Sequence, residues 1–142
     1  MRIYLCSRTA PDARDLNDKA ARFLRRVGYQ VFVPHEAPYN QADHPEIPDS
    51  TVYKLDMAEM TLSDACVVVG RIGADCGFEV GWFQAQGVPV AWYVSTTTDV
   101  GRCPMLYKVP KFKLLTEVRN FLDCVEREVS EYRAQAEKPV RT

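Results

Sequence analysis

The chain has no uninterrupted apolar run approaching the ~18 residues that a membrane-spanning helix requires. Its first segment, MRIYLCSRT, lacks the long apolar core of a secretory leader. Neither secretion nor membrane insertion is therefore expected, and the expected location is cytoplasmic. The five cysteines, Cys6, Cys66, Cys76, Cys103 and Cys124, are odd in number, form no CxxC pair and sit mostly in apolar runs, which is the pattern of a reduced intracellular protein. Charge of one sign is also missing. A formal net charge of -1 leaves no surface dedicated to a nucleic acid polymer or an anionic membrane, and the basic set Lys19, Arg22, Arg25 and Arg26 reads most simply as a solvated helix face. The stretch GRIGADCGFEVG never gives GxGxxG and carries no Walker lysine, so a nicotinamide oxidoreductase and a P-loop enzyme are disfavoured. No serine nucleophile elbow is present. His35 and His44, with Glu36, Asp43 and Glu46 beside them, match no common metal-ligand spacing, and no metal site is expected.

What is present is a chain of 142 residues, 46% hydrophobic and 26% charged, enough for one soluble domain and too little for two. The domain is expected over residues 1–135, with a polar, frayed tail over 136–142. Arg2 to Cys6 reads as a buried strand. A helix follows the Ala10-Pro11-Asp12 turn, with Leu16, Ala20, Phe23, Leu24 and Val27 at helical spacing and Gly28 as its stop. Gln30 to Pro34 reads as a second strand, and HEAPYNQADHPEIPDS as a long loop of the kind that is often functional. A second helix is capped by Ser50 or Thr51 and runs to about Thr61. A third strand spans Ala65 to Val69, a third helix about Cys76 to Gln86, and a fourth strand Pro89 to Val94. After the polar loop STTTDVGRCPMLYKVP come a short strand in KFKLL and a last helix with Leu115, Val118, Leu122, Val125, Val129 and Tyr132 on one face. Strands of continuous apolar residues alternating with helices predict a single doubly wound, flavodoxin-like α/β sandwich with a mostly parallel sheet of about five strands. In such folds ligands bind beyond the carboxyl ends of the strands, which directs attention to the loops Ser7 to Asp12, Gly70 to Asp75 and Ser95 to Pro104.

The stretch ACVVVGRIGADCGFEVGW brings two acids, Asp75 and Glu79, to that edge. Glu79 is expected in the first turn of the third helix, where unpaired N–H groups and the macrodipole favour the ionised carboxylate. Such a group is either a simple helix stabiliser or a positioned nucleophile. Gly70, Gly73, Gly77 and Gly81 let backbone approach a ligand closely, and for Gly77 and Gly81, four apart, the favoured reading is that they let the helix lie close on the sheet. Asp56, in YKLDMAEM, is either solvated or aimed into a site. Cys76 reads as a small helix-start residue rather than an activated thiolate.

The ordered set RIYLCS, LDMAEMTLSDACVVV and GADCGFEVGWFQAQGVPV resembles the nucleoside 2-deoxyribosyltransferase family and the related nucleotide N-hydrolases, with FEVGW and the following GVPV as the most specific piece. The resemblance covers about residues 2 to 94. It implies that Glu79 is the nucleophile that attacks the anomeric carbon of a (deoxy)ribose, that Tyr4 positions it, and that Asp56 contacts the sugar or base, with no metal or organic cofactor. The family's transferases carry an aspartate six residues before the nucleophile. That position here is Gly73, and Asp75, four before, either takes the role or leaves it unfilled. Ser7, Arg8 and Thr9 are either an ordinary polar loop or a site for a 5′-phosphate, and Ser95 with Thr96, Thr97, Thr98 and Asp99 offers further hydroxyls. The implied substrate is a nucleoside or nucleotide, and the implied assembly a homodimer or higher oligomer. The stripe on the last helix, with Met105, Leu106 and Tyr107, serves either core or interface. A nucleotide-binding sensor of the same fold, without turnover, is the alternative function.

Overall fold

Each long strand sends alternate side chains into two separate cores, one on either face of the sheet. The computed structural model describes residues 1–95, 106 and 108–137. Within them five strands, β1 (Arg2–Cys6), β2 (Gln30–Phe32), β3 (Ala65–Val69), β4 (Val90–Tyr93) and β5 (Lys111–Phe112), form one sheet in the order β2-β1-β3-β4-β5. All four pairings are parallel, as continuous apolar strands separated by helices predict. Four helices connect or follow them: α1 (Arg14–Arg26), α2 (Asp49–Thr61), α3 (Ala74–Ala85) and α4 (Leu115–Ala136).

Ile3 and Leu5 of β1, Ala65, Val67 and Val69 of β3, and Ala91 and Tyr93 of β4 point to one face, where Ala20, Ala21 and Leu24 of α1 and Val118 and Leu122 of α4 cover them. Tyr4 and Cys6, Cys66 and Val68, and Val90 and Trp92 point to the other. There Met60 of α2 and Cys76, Val80 and Phe83 of α3 close over them. The alternation assigns Tyr4 to the α2/α3 side, and that assignment positions the site.

Boundaries differ from expectation where proline and glycine act locally. The second strand stops at Phe32, because Pro34 opens a short 3-10 turn, Pro34–Glu36. Pro48, not Ser50 or Thr51, precedes the first residue of α2. Helix α3 starts at Ala74, two residues earlier than its sequence suggests, with Gly73 as the N-cap. Gly77 and Gly81 do not bring α3 onto the sheet, since a Cβ at either would meet nothing within 4 Å. The sheet-facing residues of that helix are Cys76, Val80 and Phe83. The stripe on α4 divides: Leu115, Val118 and Leu122 are buried, whereas Val129 and Tyr132 are exposed. Ala136 of the expected tail is still helical, and residues 138–142 lie outside the described residues. No helix among the described residues is long and apolar enough to cross a membrane.

Gly70 ends β3 with φ +68°, and a Cβ there would sit 3.1 Å from Leu16 Cδ2. Its carbonyl accepts the Trp92 indole N–H at 2.8 Å, and its own N–H donates to the Tyr93 carbonyl at 2.9 Å. The left-handed conformation turns the chain off the sheet and into the loop before α3. Gly70→Ala is expected to lower unfolding free energy by about 1–2 kcal/mol, measured by urea denaturation. An unchanged midpoint would refute this account of the turn.

Candidate active site

Chain order places β1 and β3 side by side, while their following loops lead away to opposite faces of the sheet, to α1 and to α3. A crevice opens at such a point. Here it is a cavity of about 830 Å³ whose lining includes Ser7, Arg8 and Thr9 after β1, Tyr39 to Gln41 from the long loop, Tyr53 and Asp56 of α2, and Gly73 to Cys76, Phe78 and Glu79 at the start of α3.

The Tyr4 ring is fully buried between Phe32 and Phe83, with centroids 5.3 and 5.5 Å away. Its hydroxyl reaches through this core and donates to Glu79 Oε1 at 3.0 Å. Because α3 begins at Ala74, Glu79 lies in the second turn, and the first-turn acid is Asp75. The helix terminus therefore does not hold Glu79 charged as expected. Burial dominates and pushes its carboxyl up to about 7, against the Cys6 and Tyr4 hydrogen bonds that favour the charged form, and the nearby Asp56 and Asp75 carboxylates raise it further. The Tyr4 phenol is raised far above its ordinary range, first by burial and then by the Glu79 charge. It remains a proton donor.

Asp56 is half-buried, lines the cavity and accepts the Tyr39 hydroxyl at 3.0 Å on Oδ1. Burial raises its carboxyl above the ordinary range, the Tyr39 hydrogen bond opposes this, and Asp75 and Glu59 add to it. Asp75 and Gly73 are exposed on the same cavity wall. Ser7 is 6% exposed and its Oγ has no hydrogen-bond partner among the described residues. Arg8 faces the cavity rim with its guanidinium 3.1 Å from Asp12 Oδ2, and its carbonyl accepts the Asn17 amide at 2.8 Å.

The structure thus gathers Tyr4, Glu79, Asp56, Asp75, Gly73, Ser7, Arg8 and Thr9 around one space. Gly70 shapes the β3–α3 turn behind it. Ser95 lies two residues beyond β4 and does not line the cavity. Thr96, Thr97, Thr98, Asp99, Met105 and Tyr107 lie outside the described residues. Sequence reasoning missed Tyr39 and its loop neighbours as site residues. The available signal was the length and proline content of the loop itself. The loop is held by side chains: the buried Asn40 amide donates to the His35 carbonyl at 3.3 Å and to Asp43 at 3.1 Å, and Gln41 donates to the Ile47 carbonyl and to Asp49, both at 2.8 Å. His35 pairs with Asp18 at 2.9 Å and His44 with Glu46 at 3.4 Å, so the two histidines serve separate contacts.

A model of the nucleoside 2-deoxyribosyltransferase family matches residues 3–127. No individually curated protein matches the chain by sequence. Among solved structures, a 2-deoxyribosyltransferase from Bacillus psychrosaccharolyticus superposes with a TM-score of 0.66 at 21% identity, over 84% of this chain and 91% of that one. The Clostridium botulinum CMP N-glycosidase BcmB superposes with a TM-score of 0.53 at 17% identity, over 87% and 99%. At these identities the two structures establish a shared fold.

The Glu79 carboxyl binds its proton more tightly in the folded than in the unfolded chain, where its value is the ordinary 4.5. The stability it contributes is therefore full below pH 4.5 and is lost as pH rises through about 7. At ~1.4 kcal/mol per pH unit of displacement this amounts to about 3 kcal/mol. The difference in unfolding free energy between wild type and Glu79→Gln is expected to change by that order across the window, read by urea denaturation at several pH values. A pH-independent difference would show that Glu79 ionises as an exposed carboxyl.

Proposed function

The chain belongs to the nucleoside 2-deoxyribosyltransferase family, and from that premise we propose that it cleaves the N-glycosidic bond of a (deoxy)nucleoside or its 5′-monophosphate through a covalent glycosyl-Glu79 intermediate. The observation that carries this reading is the Tyr4–Glu79 hydrogen bond, which orients a carboxylate at the wall of a cavity large enough for a nucleotide. One oxygen of ionised Glu79 attacks the anomeric carbon. The bond from that carbon to the base nitrogen breaks, its electron pair leaves with the base, and the base takes up a proton. Asp56, whose burial favours the protonated form, supplies that proton. Water then resolves the glycosyl ester in hydrolysis, or the nitrogen of a second base does so in transfer; the proton either one loses returns to Asp56, and the breaking ester bond regenerates the Glu79 carboxylate. Tyr4 keeps its proton throughout and acts by fixing the Glu79 rotamer and favouring its ionised form.

Ser7, Arg8 and Thr9 hold the 5′-phosphate in this reading. The buried, unpartnered Ser7 hydroxyl supports it, because an orphaned buried polar atom is costly until a ligand supplies the missing bond. Gly73 and Asp75 border the sugar, and Gly70 and Ser95 act from the adjoining edge. The departure at Gly73, where the transferases carry an aspartate, favours hydrolysis over base transfer. The enzyme works without metal or organic cofactor, in the cytoplasm, as a homodimer or higher oligomer that uses the exposed end of the α4 stripe.

Glu79→Ala is expected to reduce base release by roughly a thousandfold or more, measured by chromatography on a panel of nucleosides and 5′-monophosphates; retained release would overturn the assignment. One incubation of a deoxynucleoside with a second free base, beside one of the matching 5′-monophosphate alone, separates transfer from hydrolysis. Thermal stabilisation by nucleotide without any product would instead establish the sensor reading. The acid limb of kcat/KM is expected near pH 7, with activity falling below it as Glu79 takes up its proton. Tyr4→Phe removes a hydrogen bond to the charged form, and so should move that limb to higher pH and lower the plateau by roughly ten- to a hundredfold. An unmoved limb would show that Tyr4 does not act through Glu79.

A further inference from the structure

Cys6 ends β1 under α3, and Cys76 stands on α3 one turn before Glu79. The i, i+3 spacing puts Cys76 and Glu79 on one helix face, turned toward the end of the strand. One ligating atom from each, Cys6 Sγ, Cys76 Sγ and a Glu79 carboxylate oxygen, lie within 4.8 Å of one another. Cys6 is fully buried and Cys76 is 4% exposed. The Cys6 thiol lies 3.6 Å from the Cys76 carbonyl, to which it donates. Cys76 and Glu79 line the cavity, so the cluster has an approach from solvent.

Ligand atoms bound to one zinc ion stand at ~2.3 Å for sulfur and ~2.0–2.2 Å for carboxylate oxygen. Two such ligands of a tetrahedral ion lie ~3.4–3.8 Å from each other, so the three atoms, all within 4.8 Å of one another, have to close in for one ion to touch all three. Two sulfurs and one oxygen select thiophilic divalent ions over magnesium or calcium. Three protein donors also leave a fourth position for water, which can enter by the cavity that Cys76 and Glu79 line.

We propose that Cys6, Cys76 and Glu79 form a binding site for a thiophilic divalent cation of the zinc or cadmium type, and that the bound ion silences the enzyme by withdrawing Glu79 from the sugar. On binding, two sulfur–metal bonds and one oxygen–metal bond form, each thiol, and Glu79 where it carries a proton, releases that proton to solvent, and no group is oxidised or reduced. One dipositive ion against two thiolates and one carboxylate leaves a single negative charge on the cluster, with water completing the shell. The cation site stands apart from the catalytic reading. Only the silencing rests on it.

The full chain, kept reduced with a non-chelating phosphine, is titrated with cadmium chloride while thiolate-to-metal charge-transfer absorption and base release are followed in parallel. The expected result is a band that saturates at one ion per chain, with base release falling by roughly tenfold or more and recovering with EDTA. Cys6→Ala and Cys76→Ala should each lose about half of the band and bind roughly tenfold or more weakly. Cys6→Ser repeats the test at nearly native side-chain volume, with circular dichroism reporting the fold, and Cys124→Ala, altered at an exposed residue of α4, should bind as wild type does. Absence of the band, or a band and affinity unchanged in the Cys6 and Cys76 variants, would overturn the site. A saturated band with undiminished base release would overturn the silencing. Failure of the catalytic reading shows separately, as no base release before any ion is added.

Discussion

A tyrosine in the middle of a parallel sheet, covered by helices on both faces, has one route for its hydroxyl, which is into the helix above it. In this chain that helix presents Glu79. The Tyr4 ring is held by Phe32 and Phe83, so the phenol oxygen is a fixed point projecting from the core. The carboxylate that accepts from it inherits the rigidity of β1. The rest follows from that pairing. β1 must be central enough to be buried, α3 must cross above its carboxyl end, and the loops on either side must diverge. The order β2-β1-β3-β4-β5 meets all three requirements.

Two opposing influences act on the same carboxylate. A helix start stabilises negative charge, but its influence fades beyond the first turn. Glu79 is one turn further in, where removal from water outweighs it. Asp75, exposed at the first turn, occupies the electrostatically favourable position without being buried. The consequence is a division of labour along one turn of helix: Asp75 stabilises the element, and Glu79 carries the strain of a partly desolvated acid. Raised basicity also strengthens a carboxylate as a nucleophile once it is ionised.

The fold was legible because its signals were local and mutually consistent. ACVVV and RIYLC are continuous apolar runs, the helices between them have helical spacing, and parallel order follows from their alternation. The pairing of Tyr4 with Glu79 was available through a family resemblance and not from spacing, since 75 residues separate the two. Where the reading went astray, tertiary context decided. Gly77 and Gly81 looked like contact glycines, yet helix rotation is set by Cys76, Val80 and Phe83, the larger apolar set. The helix start does not govern Glu79, because a boundary shift of two residues, from Cys76 to Ala74, moves its side chain out of the first turn. Tyr39 escaped notice because its partner, Asp56, is reached through a loop whose path no periodicity encodes.

That loop has its own internal wiring. Asn40 and Gln41 satisfy backbone carbonyls and acids within the segment and at the start of α2, and no ladder hydrogen bond of the sheet depends on it. Its link to the site beneath runs through Tyr39, whose hydroxyl donates to Asp56. Gln41 can therefore change while β1 and α3 stay as they are, whereas Tyr39 cannot change without altering Asp56 as well, so one segment carries both a wall of the pocket and the setting of an acid.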